Sequence, residues 1–286
     1  MTNFTVSKAA IGLCLLCLAS TSFAQEDEAG PERTPKKPYK VNYWISGGIT
    51  LTGVTTNTFS HNRLRNKPGI TEEQVNQITA KGVNRFDRWG LRQDPSKKDA
   101  AHEISDRILY SSVIIPFFLF LDRDIRESWL DITLMYAEAQ AINSNLYGWS
   151  PIGPAFVERY RPAVYYPELP MEERNFGNLR NSFYSGHVSS TATATFFAAK
   201  VYADYHPGPG NKKYLAYGLA CLPPAVAGYY RVKALKHFPS DVIVGGIIGA
   251  SVGILIPELH RLARNKASFS AIYTQEVKGL GMIYRF

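Results

Sequence analysis

Five long apolar stretches in the later part of the chain constrain the fold most strongly. Each is long enough for several helical turns, and clusters of Pro, Gly or charged residues separate one stretch from the next. This pattern predicts a mainly α fold, a bundle of about five to six helices, with short β segments near both ends. The stretches cover residues 104–121, 126–147, 187–205, 213–230 and 241–263.

The N-terminal end has the pattern of a secretory signal. Lys8 precedes an apolar run from Ala9 to Leu18, and small residues end at Ala24, after which we expect cleavage. The apolar run is short for the roughly 20 residues that a membrane span needs. Residues 1–24 are therefore predicted to be a signal peptide, which implies export to the cell envelope.

The remaining segments differ in character from the helical stretches. Residues 41–59 are rich in Thr, Val, Ile and Gly, which predicts one or two strands. Residues 71–80 predict a short helix with a capping box between Thr71 and Gln74. The predicted divisions are a signal peptide (1–24), a flexible charged leader (25–40), an N-terminal extension (41–103), a core (104–263) and a strand-like tail (264–286). Pairing of residues 270–286 with 41–59 is one arrangement that the sequence leaves open.

Composition narrows the kind of partner. The formal net charge is +8, but Lys and Arg are scattered along the chain, which argues against a nucleic-acid partner and fits an anionic small molecule or lipid. Removal of the signal leaves Cys221 as the single cysteine, so no intramolecular disulfide is expected. Its apolar surroundings predict a packed core position.

The apolar stretches leave open whether the protein is embedded in a membrane. Three apolar runs, Ile108–Leu121, Tyr214–Tyr230 and Val242–Ile256, fit buried core helices and membrane spans about equally well. Acidic residues in the stretch 126–147 would be costly in lipid unless they faced the bundle. Both a membrane protein and a soluble periplasmic protein are compatible with the sequence.

Three polar segments carry residues suited to phosphate chemistry. One contains Arg161-Pro162, the second is Ser185-Gly186-His187, and the third runs from Arg231 through His237 to Asp241. An Arg guanidinium stays charged and binds two phosphate oxygens together. A helix that begins at Ser185-Gly186 would direct its free N–H groups at an anion. The ordered set predicts one phosphate site.

The histidines divide into two groups. His237 and Asp241 are four residues apart, which places them on one face of a helix, where a carboxylate fixes the tautomer of an imidazole. A nucleophilic histidine needs such a partner. His187, at the start of a predicted helix, is placed to donate a proton. The other four are predicted to be surface residues: His61, His102, His206 and His260.

The order Arg-Pro, Ser-Gly-His and Arg-x5-His-x3-Asp resembles the three-part signature of the type-2 phosphatidic acid phosphatase superfamily, over roughly residues 104–263. The resemblance implies a helical bundle and a phosphatase that needs no metal and no cofactor. His237 looks like the nucleophile that forms a phosphohistidine, and Asp241 like its orienting partner. His187 looks like the acid that protonates the leaving oxygen and then activates water. The phosphate oxygens would be held by Arg161, Arg231, Ser185 and the Gly186 N–H.

The chain departs from the family pattern at three positions. The family usually has a Lys seven residues before the motif Arg, where this chain has Pro154. Arg159 is the nearest cation that could replace it, and Arg180 is another. Tyr184 and Tyr230 stand where the family usually has Pro and Ser, positions that are not central to the chemistry.

The sequence favours an exported phosphatase of the cell envelope, associated with the membrane, with its active site facing the periplasm. The predicted substrate is a phosphate monoester or pyrophosphate of an envelope lipid, of the lipid A or undecaprenyl pyrophosphate type. The main alternative is a soluble periplasmic acid phosphatase that acts on small phosphate esters. A vanadate-dependent haloperoxidase and an inactive binding protein are weaker alternatives.

Overall fold

A computed structural model describes residues 37–208 and 210–264, together with the backbone of residues 267–273 and 278–284. The predicted signal peptide and most of the predicted leader, residues 1–36, lie outside the described residues. Within them, the α-helices are α1 (Tyr43–Arg65), α2 (Glu72–Gln77), α3 (Lys98–Val113), α4 (Arg123–Arg126), α5 (Trp129–Trp149), α6 (Gly186–Tyr205), α7 (Lys212–Lys233) and α8 (Pro239–Arg264). The predicted mainly α bundle is confirmed.

Helix α6 lies at the centre of the bundle and packs against α3, α5, α7 and α8. Its apolar residues Phe197 and Val201 are fully buried against Met135 of α5 and Val252 of α8. Burial of such side chains stabilises the fold by about 1.5–3 kcal/mol each. These contacts hold α6 firmly against its neighbours.

Three glycines bring α8 close to the backbone of α6. Gly245, Gly249 and Gly253 are four residues apart and lie on one face of α8. A Cβ atom at Gly245 would lie 2.5 Å from the Ser185 carbonyl oxygen, and one at Gly249 would overlap the Ser189 carbonyl oxygen. Only glycine permits this approach, because any side chain would force the helices apart.

Replacement of Gly249 by alanine is expected to lower the free energy of unfolding by about 2–3 kcal/mol, because the added methyl group overpacks the interface between α6 and α8. Gly246→Ala is the matched control on the same helix, since its Cβ would lie 3.7 Å from Val188, an ordinary contact. Denaturant unfolding of both variants in detergent measures the difference. Equal stability of the two variants would contradict this account of the packing.

The N-terminal extension contains a helix where strands were predicted, so the prediction of β structure near this end is wrong. Asn42 caps α1 by accepting hydrogen bonds from the backbone N–H groups of Trp44 and Ile45. Thr50 bonds to the Ser46 carbonyl at 2.8 Å, and the helix packs along α5. These bonds satisfy hydroxyl groups within the helix, and packing outweighs the β preference of Thr and Val.

The C-terminal β prediction is confirmed as an antiparallel hairpin of β1 (Ala267–Tyr273) and β2 (Lys278–Tyr284), in which Ser270 faces Gly281. The tail does not pair with 41–59, because that segment belongs to α1. The prediction that the leader (25–40) is flexible is wrong at residue 39. Tyr39 is buried, and its hydroxyl donates to Asp204 at 2.9 Å. The capping box of Thr71 and Gln74 is confirmed at α2.

Apolar surface favours association with a membrane. Two helical segments, Pro95–Leu121 and Pro239–Arg264, are long and apolar enough to span a bilayer by length and composition. The prediction that Cys221 is packed in the core is wrong, because Cys221 is exposed on the apolar surface of α7. Large apolar side chains are exposed on several helices, and such extensive apolar surface is unusual for a soluble monomer. Examples are Trp44, Leu51, Phe118, Leu215, Leu222, Ile247 and Leu255.

Candidate active site

A cavity of about 390 Å³ opens between α1, α3, α5 and α6. Arg161, Gly186, His187, Arg231 and His237 all line this cavity, so the structure brings together the residues that the sequence placed in one site. The volume lies within the range of sites that bind small molecules, roughly 300–1,000 Å³. The cavity therefore has room for a headgroup larger than one phosphate.

His237 lies in the turn between α7 and α8 and is only 2% exposed. The preceding Leu235 has a φ of 57°, a left-handed conformation that turns the chain sharply after α7. The Nδ1 atom of His237 lies 2.6 Å from the carbonyl oxygen of Ser182. Because a carbonyl oxygen only accepts, Nδ1 carries the hydrogen in the neutral ring and Nε2 keeps its lone pair.

The electrostatic environment keeps His237 uncharged. Burial lowers the pKa of His237 well below its usual range, and the nearby charges of Arg161 and Arg231 lower it further. The imidazole is therefore neutral at neutral pH. A neutral ring with a free lone pair is the form that can act as a nucleophile.

Asp241 lies beside His237 in the sequence but does not contact its ring through a hydrogen bond. Its carboxylate accepts from the Ser182 hydroxyl at 2.6 Å, from the Phe238 N–H at 2.7 Å and from Arg159. The prediction of a direct pair is wrong because α8 begins at Pro239, so helical spacing does not apply to His237. Asp241 holds Ser182, whose carbonyl orients His237.

Arg159 links the loops behind the site instead of lining the cavity. Its guanidinium bonds to Asp87 at 2.6 Å and also to Asp241, and it stacks 4.5 Å from the ring centroid of Phe238. Arg180 bonds to Glu158 and to backbone carbonyls. Both arginines are therefore engaged elsewhere, and neither replaces the Lys that is absent at Pro154.

His187 belongs to a polar cluster that reaches across to α3. Its Nε2 atom lies 2.9 Å from Asp106, and Asp106 lies 3.4 Å from Nδ1 of His102. Arg231 lies 3.0 Å from the same His102 atom. Burial and the charge of Arg231 lower the pKa of His187 to about 3, and Asp106 opposes this shift, so the ring is neutral in the free site.

The sequence did not single out Asp106. Of the two histidines predicted at the surface, His61 is exposed as predicted and His102 is partly buried, and both line the cavity. The four-residue spacing of His102 and Asp106 was the one available signal. The predicted helix begins at residue 104, so the sequence pattern does not place His102 and Asp106 on one helix. His206 and His260 lie away from the cavity, and His260 pairs with the buried Glu138.

Arg161 and Arg231 form a buried cationic wall. They are 7% and 3% exposed, and the Nε atom of each has no hydrogen-bond partner among the described residues. An unpaired buried donor is costly, so a bound oxyanion that accepts from these groups would be strongly favoured. Backbone bonds fix the Arg161 loop, since its N–H donates to the Leu179 carbonyl at 2.8 Å.

Ser185 and Gly186 shape the start of α6. The Ser185 hydroxyl caps the helix by accepting from the Val188 N–H at 3.5 Å, and its own N–H donates to the Asp241 carbonyl at 3.0 Å. Ser185 is fully buried, whereas Gly186 lines the cavity. A Cβ at Gly186 would lie 3.2 Å from the Tyr147 ring, so the small residue keeps the helix start close to α5.

Comparisons with known proteins identify a family for this chain. The sequence model of the PAP2 superfamily matches residues 112–264. The crystal structure of a transmembrane PAP2-type phosphatidylglycerolphosphate phosphatase from Bacillus subtilis is similar, with 20% identity and a TM-score of 0.41 over 76% of this chain and 96% of that chain. No curated protein sequence matches this chain. The family match includes Arg161, His187, Arg231 and His237, whereas His102 and Asp106 precede it.

Proposed function

This chain belongs to the PAP2 superfamily, and from that premise we propose that it is a metal-independent phosphatase of an envelope lipid. It hydrolyses a phosphate monoester or pyrophosphate through a phosphohistidine at His237. One observation carries the proposal: a neutral, buried His237 lines the same cavity as two buried arginines that have unpaired donors.

In the first step, Nε2 of His237 attacks phosphorus and the bond from phosphorus to the leaving oxygen breaks. The ring becomes positively charged as the new bond from nitrogen to phosphorus forms, and the Ser182 carbonyl, 2.6 Å from Nδ1, stabilises that charge. The bound phosphate anion and Asp106 together favour the protonated ring of His187, which gives its proton to the leaving oxygen.

In the second step, His187 takes a proton from water, and the hydroxyl oxygen attacks phosphorus. The bond to His237 breaks, inorganic phosphate leaves, and His237 returns to its neutral form. Arg161 and Arg231 stabilise the charge on the phosphoryl oxygens in both steps, as fixed buried donors do most effectively. The free N–H groups at the start of α6 add to this stabilisation.

Apolar surface supports a lipid substrate over a small soluble ester. The two segments able to span a bilayer, Pro95–Leu121 and Pro239–Arg264, each contribute to the site or its support. His102 and Asp106 lie on the first of them, and Asp241 on the second. Membrane association would bring the cavity close to lipid headgroups. The signal-like residues 1–24 support export, with the cavity facing the periplasm.

The purified protein in mild detergent with EDTA is expected to release phosphate from a lipid substrate. The panel contains lipid A, undecaprenyl pyrophosphate, phosphatidic acid and p-nitrophenyl phosphate, and cell fractionation accompanies the assay. Recovery in the membrane fraction and preference for a lipid support the proposal. A soluble protein that prefers p-nitrophenyl phosphate would instead be a soluble acid phosphatase, and activity that EDTA abolishes would contradict metal independence.

A further inference from the structure

Lys236 is a half-buried cation on the wall of the cavity, between Leu235 and His237. Within the part of the chain that the structure describes, its Nζ atom has no hydrogen bond and no ion pair. A lysine that loses water on burial normally gains a carboxylate or other acceptor in exchange. Without a protein acceptor, Lys236 is free to bind a ligand in the cavity that it lines.

The other cations of the site have protein partners. Arg231 bonds to His102 and lies 3.6 Å from Asp106, and Arg161 bonds weakly to Asn178. Three positive groups on one small cavity repel each other unless an anion lies among them. Lys236 adds a mobile point charge to the two fixed guanidinium groups, because its flexible stem lets the ammonium follow an oxygen.

We propose that Lys236 binds a non-bridging oxygen of the phosphoryl group, as the third cation of the site alongside Arg161 and Arg231. The ligand class is a phosphate dianion, either the scissile group or the inorganic phosphate product. This inference rests on the proposed function for its role in turnover, but phosphate binding itself is measurable without turnover.

Phosphate binding is expected to change the protonation of Lys236, and the uptake of a proton can be measured. Burial, together with the charges of Arg161 and Arg231, lowers the pKa of Lys236 to about 8. Free protein above this pH therefore holds a neutral Lys236, and a bound dianion favours the charged form. Phosphate binding then takes up a proton at about pH 9, where phosphate, with a second pKa of about 6, is already a dianion. The other titratable groups around Lys236 are Lys98, Asp99, His102 and the neutral His237.

The test is calorimetric binding of inorganic phosphate to the whole protein in detergent, in buffers that differ in ionisation enthalpy. Lys236→Met is expected to weaken binding about tenfold at neutral pH, the loss typical of one charge-assisted hydrogen bond. It also removes proton uptake at about pH 9. Lys236→Arg retains binding within about threefold, because it keeps the charge.

Lys233→Met is the matched control, since Lys233 lies three residues earlier, contacts the Tyr229 ring at 5.3 Å and does not line the cavity. It is expected to bind phosphate as the unmodified protein does. Thermal unfolding confirms that each variant is folded. Phosphate affinity of Lys236→Met within about twofold of the unmodified protein, with proton uptake unchanged, would overturn the inference.

The outcome also separates this inference from the proposed function. Phosphate binding that depends on Lys236, in a protein that hydrolyses no ester, supports the role of Lys236 and refutes the proposed function. Hydrolysis that proceeds normally in Lys236→Met, with unchanged phosphate affinity, refutes only the role of Lys236.

Discussion

Phosphate release by His237→Ala is expected to fall by at least about 10⁴-fold, because the variant has no nucleophile to form the covalent intermediate. The remaining arginines still bind substrate, so KM changes much less than kcat. A stopped assay of phosphate release with the preferred substrate, at saturating concentration, measures the loss.

The control for this variant is His206→Ala. His206 lies at the end of α6, where its ring stacks on Tyr202 and pairs with Asp122, away from the cavity. It is expected to keep full activity. Because His237 is buried, unfolding of both variants is compared, and a folded His237→Ala protein that retains more than about 1% of the activity would contradict its role as nucleophile.

Asp241→Ala is expected to lower the free energy of unfolding by about 3–5 kcal/mol, since it removes one of the two carboxylate partners of Arg159 and leaves the buried Ser182 hydroxyl and Phe238 N–H without their acceptor. Activity falls as well, because Ser182 loses the bond that holds its carbonyl against His237. We expect a loss of about 10²- to 10³-fold in kcat, smaller than that of His237→Ala.

Asp124→Ala is the matched control, because the Asp124 side chain is exposed at the start of α4. Its stability and activity are expected to stay near those of the unmodified protein. Denaturant unfolding and the phosphatase assay are measured on the same preparations. If Asp241→Ala were as stable as the unmodified protein yet as inactive as His237→Ala, the carboxylate would act on the imidazole directly, contrary to this structure.

The apolar pattern of the sequence was sufficient to predict the bundle but not the N-terminal helix. The five stretches correspond to α3 with the turns after it, α5, α6, α7 and α8. Helix α1 was not predicted, because its Thr and Val residues favour strands locally. Its stability comes from tertiary contacts that no local pattern reveals, such as the Thr56 hydroxyl bonding to Asn145 of α5 at 2.6 Å.

Motif order was sufficient to predict the residues that line the cavity, but not how they are supported. Arg161, His187, Arg231 and His237 are brought together as expected. Asp106 was missed because it reaches His187 from α3, 81 residues earlier in the chain. Such a contact depends on how two helices pack, and packing is set by the whole core rather than by local sequence.

The role proposed for Lys236 could not be predicted from the sequence motif. Lys236 occupies a position between Arg231 and His237 that the motif leaves open, so residue order gives it no role. Its chemical character comes from burial beside Arg161 and Arg231, which lowers its pKa. That environment arises from the turn at Leu235, whose left-handed backbone is visible only in three dimensions.

The most direct test of the account is detection of the phosphoryl-enzyme. The protein is mixed with the preferred substrate, quenched within milliseconds at alkaline pH, digested and analysed by mass spectrometry, with His237→Ala treated in parallel. The account predicts one acid-labile phosphoryl group on the peptide that contains His237, and none in the variant. Full turnover with no phosphorylated peptide, or a phosphoryl group on another residue, would contradict it.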